Sequence, residues 1–189
     1  LNLILAFVPA AVVGLLFDDM IEEHLFSATT VGLALIVGGI IMILLERPKI
    51  ARPVKKEKLE EISPLDALLI GCAQCFALWP GMSRSMSTIV GGQLRGLSTP
   101  LAADFSFLLA LPTLGAATVY SAIRRREELL AIDGGAPVLI AGILVSFFVA
   151  WAAIAWFLKV VKNIGMTPFG YYRIVVGIVV IALAGAMGV

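Results

Sequence analysis

Charge is what this sequence has least of. Only 14% of its 189 residues are Asp, Glu, Lys or Arg, against about 25% in ordinary soluble domains. The 14 basic and 13 acidic residues leave a net charge of +1 with no basic tail, which excludes a nucleic-acid binder. Two cysteines cannot build a disulfide framework, and one histidine gives imidazole chemistry a single candidate. Polar residues are too few to cover a water-facing surface, so a soluble globular enzyme and a disordered chain are both excluded. What is present is apolar: 60% hydrophobic residues, with 18 glycines besides. These are the proportions of an integral membrane protein. Residue 1 is Leu, already inside an apolar run with no charged leader, so the sequence reads as cut at its N-terminus.

A membrane-crossing helix needs ~20 largely apolar residues. Charge-free stretches occur at 1–17, 25–45, 105–123, 134–158 and 174–189. They are too long and too rich in Gly and Ala for barrel strands, which alternate over ~10 residues. An all-α bundle of five spans is expected, with a sixth, irregular apolar element between Asp66 and Arg95. Residues 18–24 are acidic, whereas 46–61 carry Arg47, Lys49, Arg52, Lys55, Lys56 and Lys58. The positive-inside rule makes the second loop cytoplasmic and the first outward-facing. The remaining clusters conflict. If residues 67–95 dip in and return, Arg124, Arg125 and Arg126 fall outside. If they cross fully, Lys159 and Lys162 do. Parity leaves both topologies open.

The irregular element carries the chemistry. A helix pattern begins after Ser63-Pro64, with Ser63 as cap and Pro64 in the first helical position. It stops at Pro80-Gly81, a strong breaker pair. A cluster of hydroxyls around one cation follows: Ser83, Arg84, Ser85, Ser87 and Thr88. A second helix then runs to about Gly96. Each arm of ~14 residues reaches ~21 Å at ~1.5 Å per residue, short of a ~30 Å hydrocarbon core. The simplest geometry is a re-entrant helix-turn-helix with Arg84 at the tip. An arginine at such depth costs ~2.5–3.5 kcal/mol and marks function by default. The second arm would point its unpaired N–H groups and positive dipole end into the turn. Arg84 adds a planar donor, Gly81 lets the backbone come close, and the hydroxyls complete a phosphate-sized nest. The bland reading has the hydroxyls capping the helix while Arg84 snorkels to an interface. Five polar side chains beside Pro-Gly in an apolar stretch weigh against it.

Other candidates are weaker. His24 follows Glu22-Glu23 in the acidic loop, far in sequence from Arg84. Cys72 and Cys75 form a CxxC on an apolar helix with no second pair, so small packing residues are the expectation. Gly92 and Gly96 have the spacing of a close helix contact. Asp66 and Asp104 flank the element as boundary charges.

The run from Gly71 to Ile89 resembles the PGxSRSxxT signature of the undecaprenyl-diphosphate phosphatase family, the bacitracin-resistance protein. The matching residues are Pro80, Gly81, Ser83, Arg84, Ser85 and Thr88. Glu46-Arg47, the run Asp104 to Pro112, and Pro168-Phe169 with Tyr172-Arg173 extend the resemblance along the chain. It implies a multi-pass enzyme of the bacterial plasma membrane. Such an enzyme removes the terminal phosphate of undecaprenyl diphosphate and so recycles the lipid carrier of peptidoglycan synthesis. It also implies an inverted-topology repeat. Residues 1–62 would be the remainder of the first repeat. Residues 63–189 would be the second, with a re-entrant pair at 65–96 and spans near 104–123, 136–158 and 172–189. By carry-over Arg84 and Ser83 are the catalytic residues, and Gly81, Ser85, Thr88 and Gln74 bind substrate. The signature usually has Gly where Met86 stands. The family's ExxxE pair and PVSSxGH segment have no match here. A Mg2+ or Ca2+ cofactor would take its carboxylates from that absent portion, and the 189-residue form alone is expected to be inactive. Expected partners are a polyprenyl diphosphate and the bilayer, with a homo-oligomer left open. The rival class is a transporter or flippase for a lipid-linked or small phosphate anion, which needs neither absent motif. A scaffold would leave Arg84 without a purpose.

Overall fold

The computed structural model describes residues 1–47, 50, 52–130 and 135–187. Lys49 of the basic run, and residues 134, 188 and 189 of two expected spans, lie outside these. Among the described residues there are eight α-helices: α1 (Asn2–Leu25), α2 (Ala28–Leu45), α3 (Pro64–Gln74), α4 (Arg84–Leu94), α5 (Thr99–Arg124), α6 (Arg126–Leu130), α7 (Gly135–Ile164) and α8 (Thr167–Met187). Short 3-10 turns sit at Leu59–Glu61 and Cys75–Leu78. Helices α2, α5, α7 and α8 are each long and apolar enough to cross a membrane. Helix α1 becomes a fifth if its two arms, Asn2–Phe17 and Asp19–Leu25, count as one span bent by 72°. The chain is an all-α, multi-pass membrane protein. Its surface matches: Phe147, Phe148 and Trp151 on α7 are exposed, as lipid-facing positions must be.

The helices run past the charge-free stretches. Helix α5 starts at Thr99, not 105, because Asp104 is carried inside it and paired to Lys162 at 3.7 Å. Helix α7 continues through Lys159 and Lys162 to Ile164, and α8 begins seven residues before 174 with Arg173 in its interior.

Residues 64–94 form a helical hairpin that returns to the face it left. Ser63 and Asp66 make a capping box: Asp66 N donates to Ser63 Oγ at 3.2 Å and Ser63 N to Asp66 Oδ2 at 2.9 Å. At the other end of the hairpin, Arg95 Nε donates to Asp66 Oδ1 at 3.0 Å. Lys56 of the basic loop bonds the second Asp66 oxygen. One fully buried carboxylate thus latches both feet of the hairpin to the basic loop. Burial alone would push its pKa up; donors from Lys56, Ser63 and Arg95 outweigh that and hold it well below the usual carboxylate range. Both feet on one face make the element re-entrant. The first arm, with 11 α-helical and four 3-10 residues, reaches ~24 Å, short of a ~30 Å core.

Helices α2 and α8 cross antiparallel through glycines. A Cβ on Gly32 would stand 3.0 Å from Gly177 O, and one on Gly39 would stand 2.6 Å from Gly170 O. The pairs Gly32/Gly39 and Gly170/Gly177 share one spacing in sequence, and each glycine faces the opposite member of the other pair. That reversed order is what an antiparallel crossing of two helices produces. Glu46, at the end of α2, closes the contact. Its carboxylate accepts from Met166 N (2.5 Å), Thr167 N (2.8 Å) and Thr167 Oγ1 (2.6 Å), satisfying the start of α8.

Candidate anion site

The hairpin tip is fixed from several sides. Trp79 Nε1 donates to Thr30 O in the first turn of α2 at 3.2 Å. Gly81 has φ 94°, and a Cβ there would meet Val31 O at 2.5 Å, so only glycine permits this approach. Ser83 caps α4, its Oγ accepting from Met86 N at 3.4 Å. Its φ of 73° is the one left-handed backbone at a non-glycine residue among those described. Such a conformation costs on the order of 1–3 kcal/mol and persists only where the surroundings over-determine it. Here Ser87 Oγ donates to Ser83 O at 3.0 Å, and Arg173 Nη2 donates to Gly81 O at 2.8 Å and Met82 O at 2.9 Å.

Arg84 is the first residue of α4. Its Nη1 donates to Ser106 O on α5 at 2.8 Å, and its Nη2 lies 3.4 Å from Ser85 Oγ. It lines a cavity of about 400 Å³ between α1, the end of the first hairpin arm and α5. Gln74 lines the same cavity. It is 2% exposed, its Oε1 accepts from Thr113 Oγ1 at 3.5 Å, and its Nε2 has no partner. A buried donor left unmade costs about 1–3 kcal/mol, which an acceptor in the cavity would remove. Thr88 sits a turn deeper and is buried. Its Oγ1 shares a 2.7 Å hydrogen bond with Ser106 Oγ, tying α4 to the segment of α5 that holds Arg84.

The structure therefore brings together Arg84, Gln74 and Ser85, with Gly81 and Ser83 forming the turn and Thr88 bracing it. It separates the rest. Asp66 and Asp104 occupy the opposite, basic face in ion pairs, and His24 is exposed at the end of α1. Cys72 is exposed, and Cys75 Sγ reaches only Gly71 O at 3.7 Å. Three residues escaped the sequence reading as parts of the tip: Ser106, Thr113 and Arg173. Only Arg173 left a signal, a lone cation beside an uncharged apolar run.

Two cations thus stand at one tip. Among the described residues neither Arg84 nor Arg173 has a carboxylate within ion-pair distance, whereas Asp66 and Asp104 are paired. The arrangement asks for an anion. It does not suit a metal ion: the cavity offers a guanidinium, hydroxyls and an amide. No three His, Cys, Asp or Glu side chains converge among the described residues.

The family model for bacitracin resistance protein BacA matches residues 1–179. The chain belongs to the BacA family. It is 54% identical over 184 residues to the undecaprenyl-diphosphatase of Sorangium cellulosum, covering 97% of this chain and 60% of that protein. It is 47% identical over 186 residues to the enzyme of the same name from Albidiferax ferrireducens, covering 97% and 66%. With that of Pseudomonas aeruginosa it shares 45% over 181 residues, covering 96% and 64%. The chain thus spans 60 to 66% of the length of these curated relatives. Against the expected BacA signature, Met86 is accommodated by α2. It is 3% exposed, and its Cε lies 2.8 Å from where a Gly38 Cβ would stand, so the missing side chain at 38 makes its room.

Proposed function

We propose that this protein holds the diphosphate of undecaprenyl diphosphate at Arg84 for hydrolysis to undecaprenyl phosphate and inorganic phosphate. Water adds to the terminal phosphorus, the bond to the bridging oxygen breaks, and that oxygen stays on the lipid phosphate. The observation that carries the reading is a half-buried arginine without a carboxylate partner, opening a half-helix and sharing a cavity with the unpartnered amide of Gln74. The Arg84 guanidinium neutralises non-bridging oxygens, and the α4 N-terminus adds N–H groups that lack intrahelical acceptors. Gln74 Nε2 gives a further donor and Thr113 lines the same cavity, with Ser85 beside Arg84 and Ser83 at the cap of α4. No carboxylate or histidine lines the cavity among the described residues. The part these residues play is to bind, orient and neutralise. The family and the lipid substrate support a place in the bacterial plasma membrane, in lipid-carrier recycling for the cell wall.

Anion transport would use the same half-helix end; the similarity to undecaprenyl-diphosphatases favours hydrolysis. The test is phosphate release from a polyprenyl diphosphate by the full-length protein in detergent micelles. Arg84→Ala should lower kcat/KM by roughly 100- to 1,000-fold, the usual loss on removing a transition-state donor. Arg84→Lys should recover only part, since a point charge cannot reproduce the planar fork. An unchanged rate in Arg84→Ala removes the anion from this tip. Labelled phosphate crossing proteoliposomes without hydrolysis would replace the reading with transport.

A further inference from the structure

The hairpin borders a second cavity, of about 390 Å³, that shares no residue with the one at Arg84. Its walls are α2, through Ile41 and Leu45, and α4, through Met86, Val90 and Leu94. The first arm turns Ala73 and Phe76 to this groove, and Gln74 and Ala77 to the Arg84 cavity. Ser87 is the one polar residue lining the groove, and its hydroxyl is spent on Ser83 O at 3.0 Å. Phe76 and Leu94 are exposed, so the groove opens to the bilayer and takes hydrocarbon. An apolar groove alone does not say whose hydrocarbon. The second observation is at its end on the basic face. Leu45 and Leu94, the last residues of α2 and α4, also line a polar cavity of about 310 Å³ with Arg52, Gln93 and Thr99. Glu46 lines it too, but its oxygens are taken by the three donors at the start of α8. Gln93 Nε2 donates to Thr99 Oγ1 at 2.9 Å. Arg52 is the charge left unspent: it is exposed, and among the described residues no carboxylate stands within ion-pair distance.

We propose that these two joined cavities seat one anionic phospholipid of the leaflet on the basic face, its phosphate at Arg52 and one acyl chain between α2 and α4. The order is that of a lipid in its leaflet: a cationic pocket at the level of the loop, then an apolar groove running inward to Met82 at the hairpin tip. Basic pockets between membrane helices on this side take anionic head groups. Free phosphate would leave the groove bare, and a lipid without net charge would leave Arg52 unmatched. The head lies at the feet of the hairpin and Arg84 at its tip, so this site stands apart from the one that holds the diphosphate. A chain that reaches Met82 and Met86 packs against the turn whose Met82 O is held by Arg173.

The test is native mass spectrometry of the full-length protein, stripped of lipid in detergent and titrated with one of two lipids. One is dioleoylphosphatidylglycerol; the other is dioleoylphosphatidylcholine, with the same chains and no net charge. The first phosphatidylglycerol should bind about fivefold or more tightly than the first phosphatidylcholine, equivalent to about 1 kcal/mol or more. Arg52→Gln should abolish that preference. Lys58→Gln removes the same charge from a part of the loop that lines neither cavity, and should keep it. Leu94 lines both cavities and is 40% exposed, so a larger ring there blocks the junction without disturbing a packed core. Leu94→Trp should weaken both lipids about tenfold. Equal affinity for the two lipids in the unsubstituted protein overturns the site, as does a preference that survives Arg52→Gln. A loss in Lys58→Gln as large as that in Arg52→Gln also overturns it, since the attraction would then belong to the loop's overall charge. So does lipid affinity untouched by Leu94→Trp. If no lipid is retained, or lipid is lost as a dimer forms, the groove is filled by protein and the proposal falls.

Discussion

Arg173 offers the sharpest test of how the tip is held. Its guanidinium is 8% exposed and spends Nη2 on two carbonyls of the turn, at 2.8 and 2.9 Å; a third contact, to Ala34 O, is 3.4 Å and counts for little. Hydrogen bonds to a charged group contribute about 1.5–3 kcal/mol each, and a buried carbonyl left without a donor costs about 1–3 kcal/mol. Against this, Arg173→Met removes a buried, unpaired charge whose desolvation costs several kcal/mol. The global balance is therefore near zero, while the local one is not. The methionine can fill the space but cannot hold Gly81 O and Met82 O, and the left-handed Ser83 that follows depends on the same turn. A loosening of about 2 kcal/mol corresponds to roughly a thirtyfold loss of the competent tip. Arg173→Met should thus lower kcat/KM for phosphate release by about 10- to 30-fold with a melting temperature within a few degrees of the unsubstituted protein. Arg173→Lys should recover part of the rate, because one ammonium can reach one carbonyl. The reasoning fails if Arg173→Met retains full kcat/KM, or if its activity falls only in step with the amount of folded protein.

Two further expectations concern stability, read by thermal unfolding in micelles. Gly39→Ala pushes a methyl into Gly170 O and Ile174 and should cost about 1–3 kcal/mol. Gly142→Ala on α7, where a Cβ meets nothing within 4 Å, should be neutral or stabilising by up to about 1 kcal/mol; equal shifts in the two would deny the glycine-mediated crossing of α2 and α8. Asp66→Asn strips the latch of its charge. Because Lys56 and Arg95 stay partly solvated, about 1–3 kcal/mol is expected rather than the full cost of an orphaned buried ion, or roughly 3–10 °C in melting temperature. An unchanged melting temperature would mean the hairpin feet are held by packing alone.

The hairpin was legible because its punctuation is local. Ser63-Pro64 starts a helix and Pro80-Gly81 breaks one through backbone geometry that neighbours in sequence decide, so α4 begins at Arg84 where the expected second arm does. The helix limits were not legible, since a search for uncharged stretches treats every charge as a boundary. Asp104 and Arg173 sit inside helices because of partners far along the chain, a lysine 58 positions on and two carbonyls of the turn. The brace Thr88–Ser106 is hidden for the same reason. A serine in an apolar run usually bonds its own helix, and nothing in the sequence says that this one meets a threonine 18 residues away. Gly38 likewise looked like any small residue, although its missing side chain is what lets Met86 stand at the tip.

The conflict between the basic clusters resolves through pairs of this kind. Asp66 ties both hairpin feet to the basic loop, so the hairpin does not cross, and α5 leaves from the same face. The Asp104–Lys162 pair returns the end of α7 to that face, and Glu46 places the start of α8 there as well. Arg124, Arg125 and Arg126 must then lie at the far end of a 26-residue helix, on the face of the acidic loop. The positive-inside rule is a bias counted over loops, and it is still obeyed in sum: the six basic residues of 46–61, with Lys159 and Lys162, outnumber the three arginines. Glu127 and Glu128 follow those arginines directly and lower the local charge. A rule built on charge counts could not choose between the two topologies, because the deciding charges are the few that lie within helices and pair across them.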